Sequence, residues 1–191
     1  MSIVRYDHRH IYCHVPKTGG TSMESCPFVA SRGHQPMSQL FAQCRQRGAN
    51  PRNFFSWAFV RHPFDRIRSV YYAFCQHHQA HCPPHTANSF AEFVIQLRAN
   101  PEWVFRFAHL IPQAAWLNKE MLNEEITFIG RFEHIERDWK TVTNRIIGRD
   151  FPLSHQNSTD KTKYLADEQP ETREIIKEIY MVDFEAYYPN S

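Results

Sequence analysis

Lys17 stands directly before a threonine and two glycines in the run PKTGGTS, residues 16–22. Gly19 and Gly20 carry no Cβ, so backbone amides around them can close on an anion. Thr18, Thr21 and Ser22 add hydroxyl donors. Lys17 adds a full positive charge at the mouth of the turn. A helix opening at Thr21 or Ser22 would add the partial positive charge of its first turn. The residue order disfavours the Mg²⁺-dependent nucleoside triphosphatases, whose loop places its lysine after the glycines, as Gly-x-x-x-x-Gly-Lys-Ser/Thr. Read alone, the run is equally a strand-to-helix turn with incidental glycines.

A second group stands in WAFVRHPFDRIRSVYYAF, residues 57–74. Arg61 follows an aromatic, β-branched run. Ser69 falls near the second turn of a helix that Pro63 is suited to open. A guanidinium fork with a hydroxyl suits a phosphate monoester. Each residue alone has a plainer reading: Arg61 as a surface ion pair with Asp65, Ser69 as a small residue packed under its helix.

A third group, CQHHQAHCPPH at 75–85, gathers imidazoles and thiols. His78 with His81, or Cys82 with His85, has chelate spacing. A zinc site draws on two separated ligand pairs, and a single cluster stands here, so we read a polar loop and expect no metal.

These residues need a scaffold. Short apolar runs at 11–15, 28–31, 54–60 and 126–130 read as strands. Between and after them, helical spacing recurs at Met37, Leu40, Phe41 and Cys44; at Ile67, Val70, Tyr71 and Phe74; and at Phe90, Phe93, Val94 and Leu97. It recurs again at Ile135, Trp139, Val142 and Ile146, and from Pro170 at Ile175, Ile176, Ile179 and Tyr180 on one face of a last helix. Residues 101–120 read as helical, interrupted at Pro112. Strands alternating with helices predict a three-layer α/β/α fold around a mostly parallel sheet. Ligands of such folds bind beyond the carboxyl ends of the strands, where PKTGGTS and Arg61 both fall.

Together, PKTGGTS and RHPFDRIRS resemble the sulfotransferases that use 3′-phosphoadenosine 5′-phosphosulfate. In that family a loop like the first holds the 5′-phosphosulfate. A segment like the second holds the 3′-phosphate through its arginine and serine. The segments ITFIGRFEHIERDW (126–139), FPLSHQNSTDKTKY and IIKEIYMVDFEAYYP extend the likeness to the carbohydrate-type branch, which includes bacterial members. The resemblance covers the chain from about residue 10 to its end. It implies a P-loop-like nucleotide fold and a single sulfotransferase domain over 1–191.

It also implies roles. Lys17 through Ser22 hold the donor, and Lys17 neutralises the bridging oxygen as it leaves. Arg61 and Ser69 take the 3′-phosphate. Arg131, Ser158, Lys161 and Lys163 are further nucleotide contacts. His34, in SRGHQPMSQLF, is the expected general base, since histidine titrates near neutrality and family members carry a comparable Gly-His segment. The plainer reading of His34 is a surface or helix-capping histidine. Glu133 and His109 are the runners-up, and His14 reads as structural. The segment HLIPQ suggests acceptor contacts at His109 and Gln113. The acceptor is a small molecule or glycan, and the picture needs no metal because lysine and arginine supply the charge.

Composition bounds these readings. The chain has 191 residues, 42% hydrophobic and 14% aromatic, which suits a folded core rather than disorder. Net charge is +2 without a basic tail, which disfavours a general nucleic-acid binder. Five irregularly spaced cysteines argue for a reducing compartment. No apolar run has bilayer-spanning length and the first residues lack a signal-peptide core, so a cytoplasmic protein without a membrane segment is expected. Two alternatives stay open on the same scaffold: a small-molecule or nucleotide kinase, and a non-catalytic nucleotide- or polyanion-binding module.

Overall fold

The computed structural model describes residues 3–29, 33–74, 87–118, 125–154 and 169–191. In chain order the regular elements are β1 Ile3–Arg5, β2 His10–Cys13, α1 Gly20–Glu24, α2 Met37–Gln46, β3 Phe55–Val60, α3 Pro63–Phe74 and α4 Phe90–Ala99. They continue with α5 Glu102–Arg106, α6 Gln113–Leu117, β4 Phe128–Arg131, α7 Ile135–Ile147, α8 Pro170–Ile179 and α9 Met181–Tyr187. The chain gathers into two compact units: Met1–Arg61 with Gln113–Gln156, and His62–Pro112 with Asn157–Ser191.

The first unit holds the sheet, ordered β1-β2-β3-β4. β2, β3 and β4 run parallel, in the register Tyr12↔Trp57↔Phe128, and β1 is antiparallel to β2. All four residues of β2 are buried, as befits a parallel strand covered on both faces. Side chains alternate between those faces. On one, Tyr12, Trp57 and Phe59 share a core with Met23, Phe28, Trp139 and Val142. The Tyr12 and Trp57 rings stack at 4.1 Å. On the other, the Cys13 thiol reaches the carbonyls of Gln35 and Trp116, and α2 packs on β1 and β2. Its buried Met37, Leu40, Phe41 and Cys44 are the residues whose spacing predicts it.

The strand expected at 28–31 does not include Phe28 or Val29. Phe28 and Val29 lie in a turn closed by the Val29 amide on the Cys26 carbonyl, 2.9 Å; residues 30 and 31 lie outside the described set. Side chains satisfy this backbone instead of a ladder: Arg5 donates to the Pro27 carbonyl, and His10 Nε2 bonds the Phe28 carbonyl at 2.9 Å. β1 supplies the fourth strand. The charged turn at residues 6–9 joins it to β2, and its three residues are too few to be found by periodicity.

The second unit is helical among the described residues, with α3 and α4 both packed on α8. Arg66 is fully buried in it and donates to the carbonyls of His109 and Ile111, at 3.0 and 3.1 Å. Tyr180 gives its hydroxyl to the Leu110 carbonyl at 2.8 Å and leaves helical geometry, which splits the expected single C-terminal helix into α8 and α9.

Candidate active site

β2 ends at Cys13, and the chain turns through residues 14–19 into α1. The turn is held from inside. Thr18 is fully buried, and its hydroxyl donates to the Val15 carbonyl at 2.8 Å. Lys17 and Gly19 both adopt left-handed backbone, φ 68° and 88°. A left-handed lysine is uncommon and is held here by the surrounding turn. Gly19 has a second constraint: a Cβ there would meet Ile135 Cδ1 at 2.8 Å. At Gly20 a Cβ would fall inside the His14 imidazole. The two glycines are therefore required by geometry, not incidental.

The amides of Ser22 and Met23 close on the Gly19 carbonyl, at 3.1 and 3.4 Å. Those of residues 18–21 are the donors the turn can present. α1 spans just Gly20–Glu24, so its dipole adds little to them. Thr21 is exposed and Ser22 is buried.

Arg61 follows β3 and comes to the same turn. Its guanidinium reaches within 3.5 Å of the Lys17 carbonyl and lies 4.3 Å from the centre of the Phe132 ring. Burial, and then the Arg61 charge, lower the Lys17 pKa below its ordinary value. No carboxylate among the described residues pairs with the Lys17 ammonium. A turn that brings the Arg61 charge near enough to lower the Lys17 pKa suits an anion.

His34 also reaches the turn. Its Nδ1 lies 2.9 Å from the His14 carbonyl, an acceptor, so Nδ1 carries the proton and Nε2 holds the lone pair. Burial and the neighbouring His14 lower its pKa, which keeps the ring neutral. The His14 ring, 4.3 Å from that of His34, is itself bonded at 2.7 Å through Nδ1 to Glu24 on α1. His14 thus ties the turn, α1 and His34 together.

The remaining expected residues are placed less centrally. Arg131 ends β4 with an exposed side chain, and its amide donates to Asp138 at 2.8 Å. Glu133 is exposed. Gln113 is fully buried, with its side-chain amide on the backbone of Arg61. Ser69 and His109 belong to the helical unit: Ser69 is buried on α3, and the His109 ring lies 4.6 Å from that of Phe74. Ser158, Lys161, Lys163 and the 75–85 cluster lie outside the described residues. Among the described residues no cluster of three or more His, Cys, Asp or Glu side chains suits a metal ion. Sequence reading missed Glu24 as the partner of His14. It also missed Phe132 as the platform under Arg61, since a phenylalanine after a strand looks like any core residue.

Comparison with known proteins fits this arrangement. The sulfotransferase family model matches residues 1–189. No curated protein and no solved structure matches the chain. The chain belongs to the sulfotransferase family. Its class of chemistry is therefore the transfer of a sulfuryl group.

Proposed function

We propose that this protein transfers the sulfuryl group of 3′-phosphoadenosine 5′-phosphosulfate to a hydroxyl of a carbohydrate or similarly polar acceptor. The observation that carries the reading is the cation pair, Lys17 and Arg61, at a turn whose glycines leave room for close approach. The residues fit the donor: amides 18–21 and Lys17 for the phosphosulfate, Arg61 for a phosphate monoester. Resemblance alone assigns Ser69, Arg131, Ser158, Lys161 and Lys163 to the nucleotide, the P-loop-like character to the fold, and a single domain to 1–191.

In the reaction the acceptor oxygen forms a bond to sulfur while the bond from sulfur to the 5′-phosphate oxygen breaks. The acceptor proton passes to His34 Nε2, which the Nδ1 hydrogen bond leaves as the basic nitrogen. Lys17 offsets the negative charge that gathers on the departing phosphate oxygen. The lowered His34 pKa keeps the base unprotonated at neutral pH.

Replacing Lys17 or Arg61 by alanine tests the assignment. Each is expected to weaken adenosine 3′,5′-bisphosphate binding or to abolish turnover. Near-normal binding and activity in both variants would contradict it.

A further inference from the structure

We infer that Gln113 and Phe132 form a mount that fixes Arg61 beside Lys17, and that they are positioning residues of the anion site. Gln113 opens α6 directly after Pro112 and is fully buried. Its Oε1 accepts the Arg61 amide proton at 2.8 Å, and its Nε2 donates to the Arg61 carbonyl at 2.8 Å. Both polar groups of one peptide residue are thus taken by one side-chain amide, just where β3 ends and its ladder with β4 stops. An amide is the side chain that can do this, since it offers one donor and one acceptor in a plane.

The guanidinium is held from its other end. Phe132 lies under it at 4.3 Å, a cation–π distance. The same ring packs on the turn, 3.2 Å from where a Cβ of Gly19 would stand. Phe132 therefore touches the lysine-bearing turn and the arginine at once. Backbone clamp and ring platform together remove the freedom of a long side chain that an anion would otherwise have to immobilise. They also keep the Arg61 charge near enough to the Lys17 ammonium to lower its pKa.

The inference rests on the anion-site reading, and two measurements on the full chain separate their failures. The first needs no nucleotide: the titration of Lys17, followed by NMR of ¹³C-labelled lysine side chains. Gln113→Met, close in volume, and Phe132→Leu, which stays apolar, should each raise the Lys17 midpoint, as Arg61→Ala should. Neither should add to the shift in an Arg61→Ala background. A midpoint unmoved by both variants, or shifts that add to that of Arg61→Ala, would overturn the mount. Using two variants protects the test if one fails to fold.

The second is calorimetry with adenosine 3′,5′-bisphosphate and adenosine 5′-monophosphate. The mount predicts that either variant loses roughly fivefold or more of the preference for the bisphosphate, with monophosphate affinity little changed. Parallel loss for both ligands would show general damage and contradict the positioning role. A wild-type chain with no preference for the bisphosphate would sink the functional proposal, while the Lys17 titration would still decide the mount.

Discussion

At the scale of single residues, the chemistry turns on which proton sits where. His34 donates through Nδ1 to a carbonyl and is kept neutral by burial and by His14. The base form should therefore persist below the ordinary histidine pKa of about 6.5. The ratio kcat/KM, which reports the free enzyme, is expected to fall on the acid side with an apparent pKa below that value. An acid limb at or above it would show that another group acts as base. His34→Ala should lower turnover by 10²-fold or more, roughly what a general base contributes, with bisphosphate affinity held within about twofold. Lys17 has the opposite exposure to pH. Its pKa is lowered in the unliganded protein, so an anion that favours the charged form should draw in a proton near the alkaline end of its range. Binding enthalpies measured there in buffers of different ionisation heat should differ by the proton taken up. Gly20 offers a steric test: Gly20→Ala drives a methyl into the His14 ring. Loss of both stability and turnover is expected, whereas an unaltered variant would mean that His14 can step aside.

At the scale of elements, the parallel strands and the main helices are legible because each buries a patterned face. β3 and β4 are apolar runs, and α2, α3, α4 and α7 show helical spacing. Where polar side chains rather than periodicity decide the backbone, pattern reading fails. Arg5 and His10 capture the Pro27 and Phe28 carbonyls and turn an apolar stretch away from strand pairing. The site divides the same way. Lys17, the glycines and Arg61 are singled out by type, spacing and family resemblance taken together. Phe132, Gln113 and Glu24 act through contacts made across the fold, which no spacing records. Two stability predictions belong here. Trp139 is buried against the Trp57 face and donates to the Phe151 carbonyl at 2.8 Å, so Trp139→Ala should cost about 3–5 kcal/mol in chemical unfolding. His10 is bonded to the Phe28 carbonyl and accepts the Trp57 indole proton, and burial pushes its pKa down to about 4. The unfolded chain takes up that proton from about pH 6.5 downward and the folded one does not, so stability should decline as pH falls from 6.5 to about 4. Urea midpoints across that window should show a shallower decline for His10→Gln, which does not titrate there.

At the scale of the whole molecule, net charge is a poor guide and local charge a good one. A chain of net charge +2 has no long-range pull on polyanions, yet it holds Lys17 and Arg61 together at one turn. Both of these cations lie in the sheet-bearing unit. No helix among the described residues is long and apolar enough to cross a membrane. Affinity for a nucleotide held by a small cationic site should weaken as salt rises, but modestly, because buried charges are screened less than exposed ones. On the proposed function, the turn and Arg61 hold a nucleotide with a second phosphate rather than a triphosphate. Calorimetry of the full chain with adenosine 3′,5′-bisphosphate and with ATP tests it most directly. The bisphosphate should bind at least about tenfold more tightly, without added Mg²⁺. Equal affinity, or a preference for ATP with Mg²⁺, would contradict it.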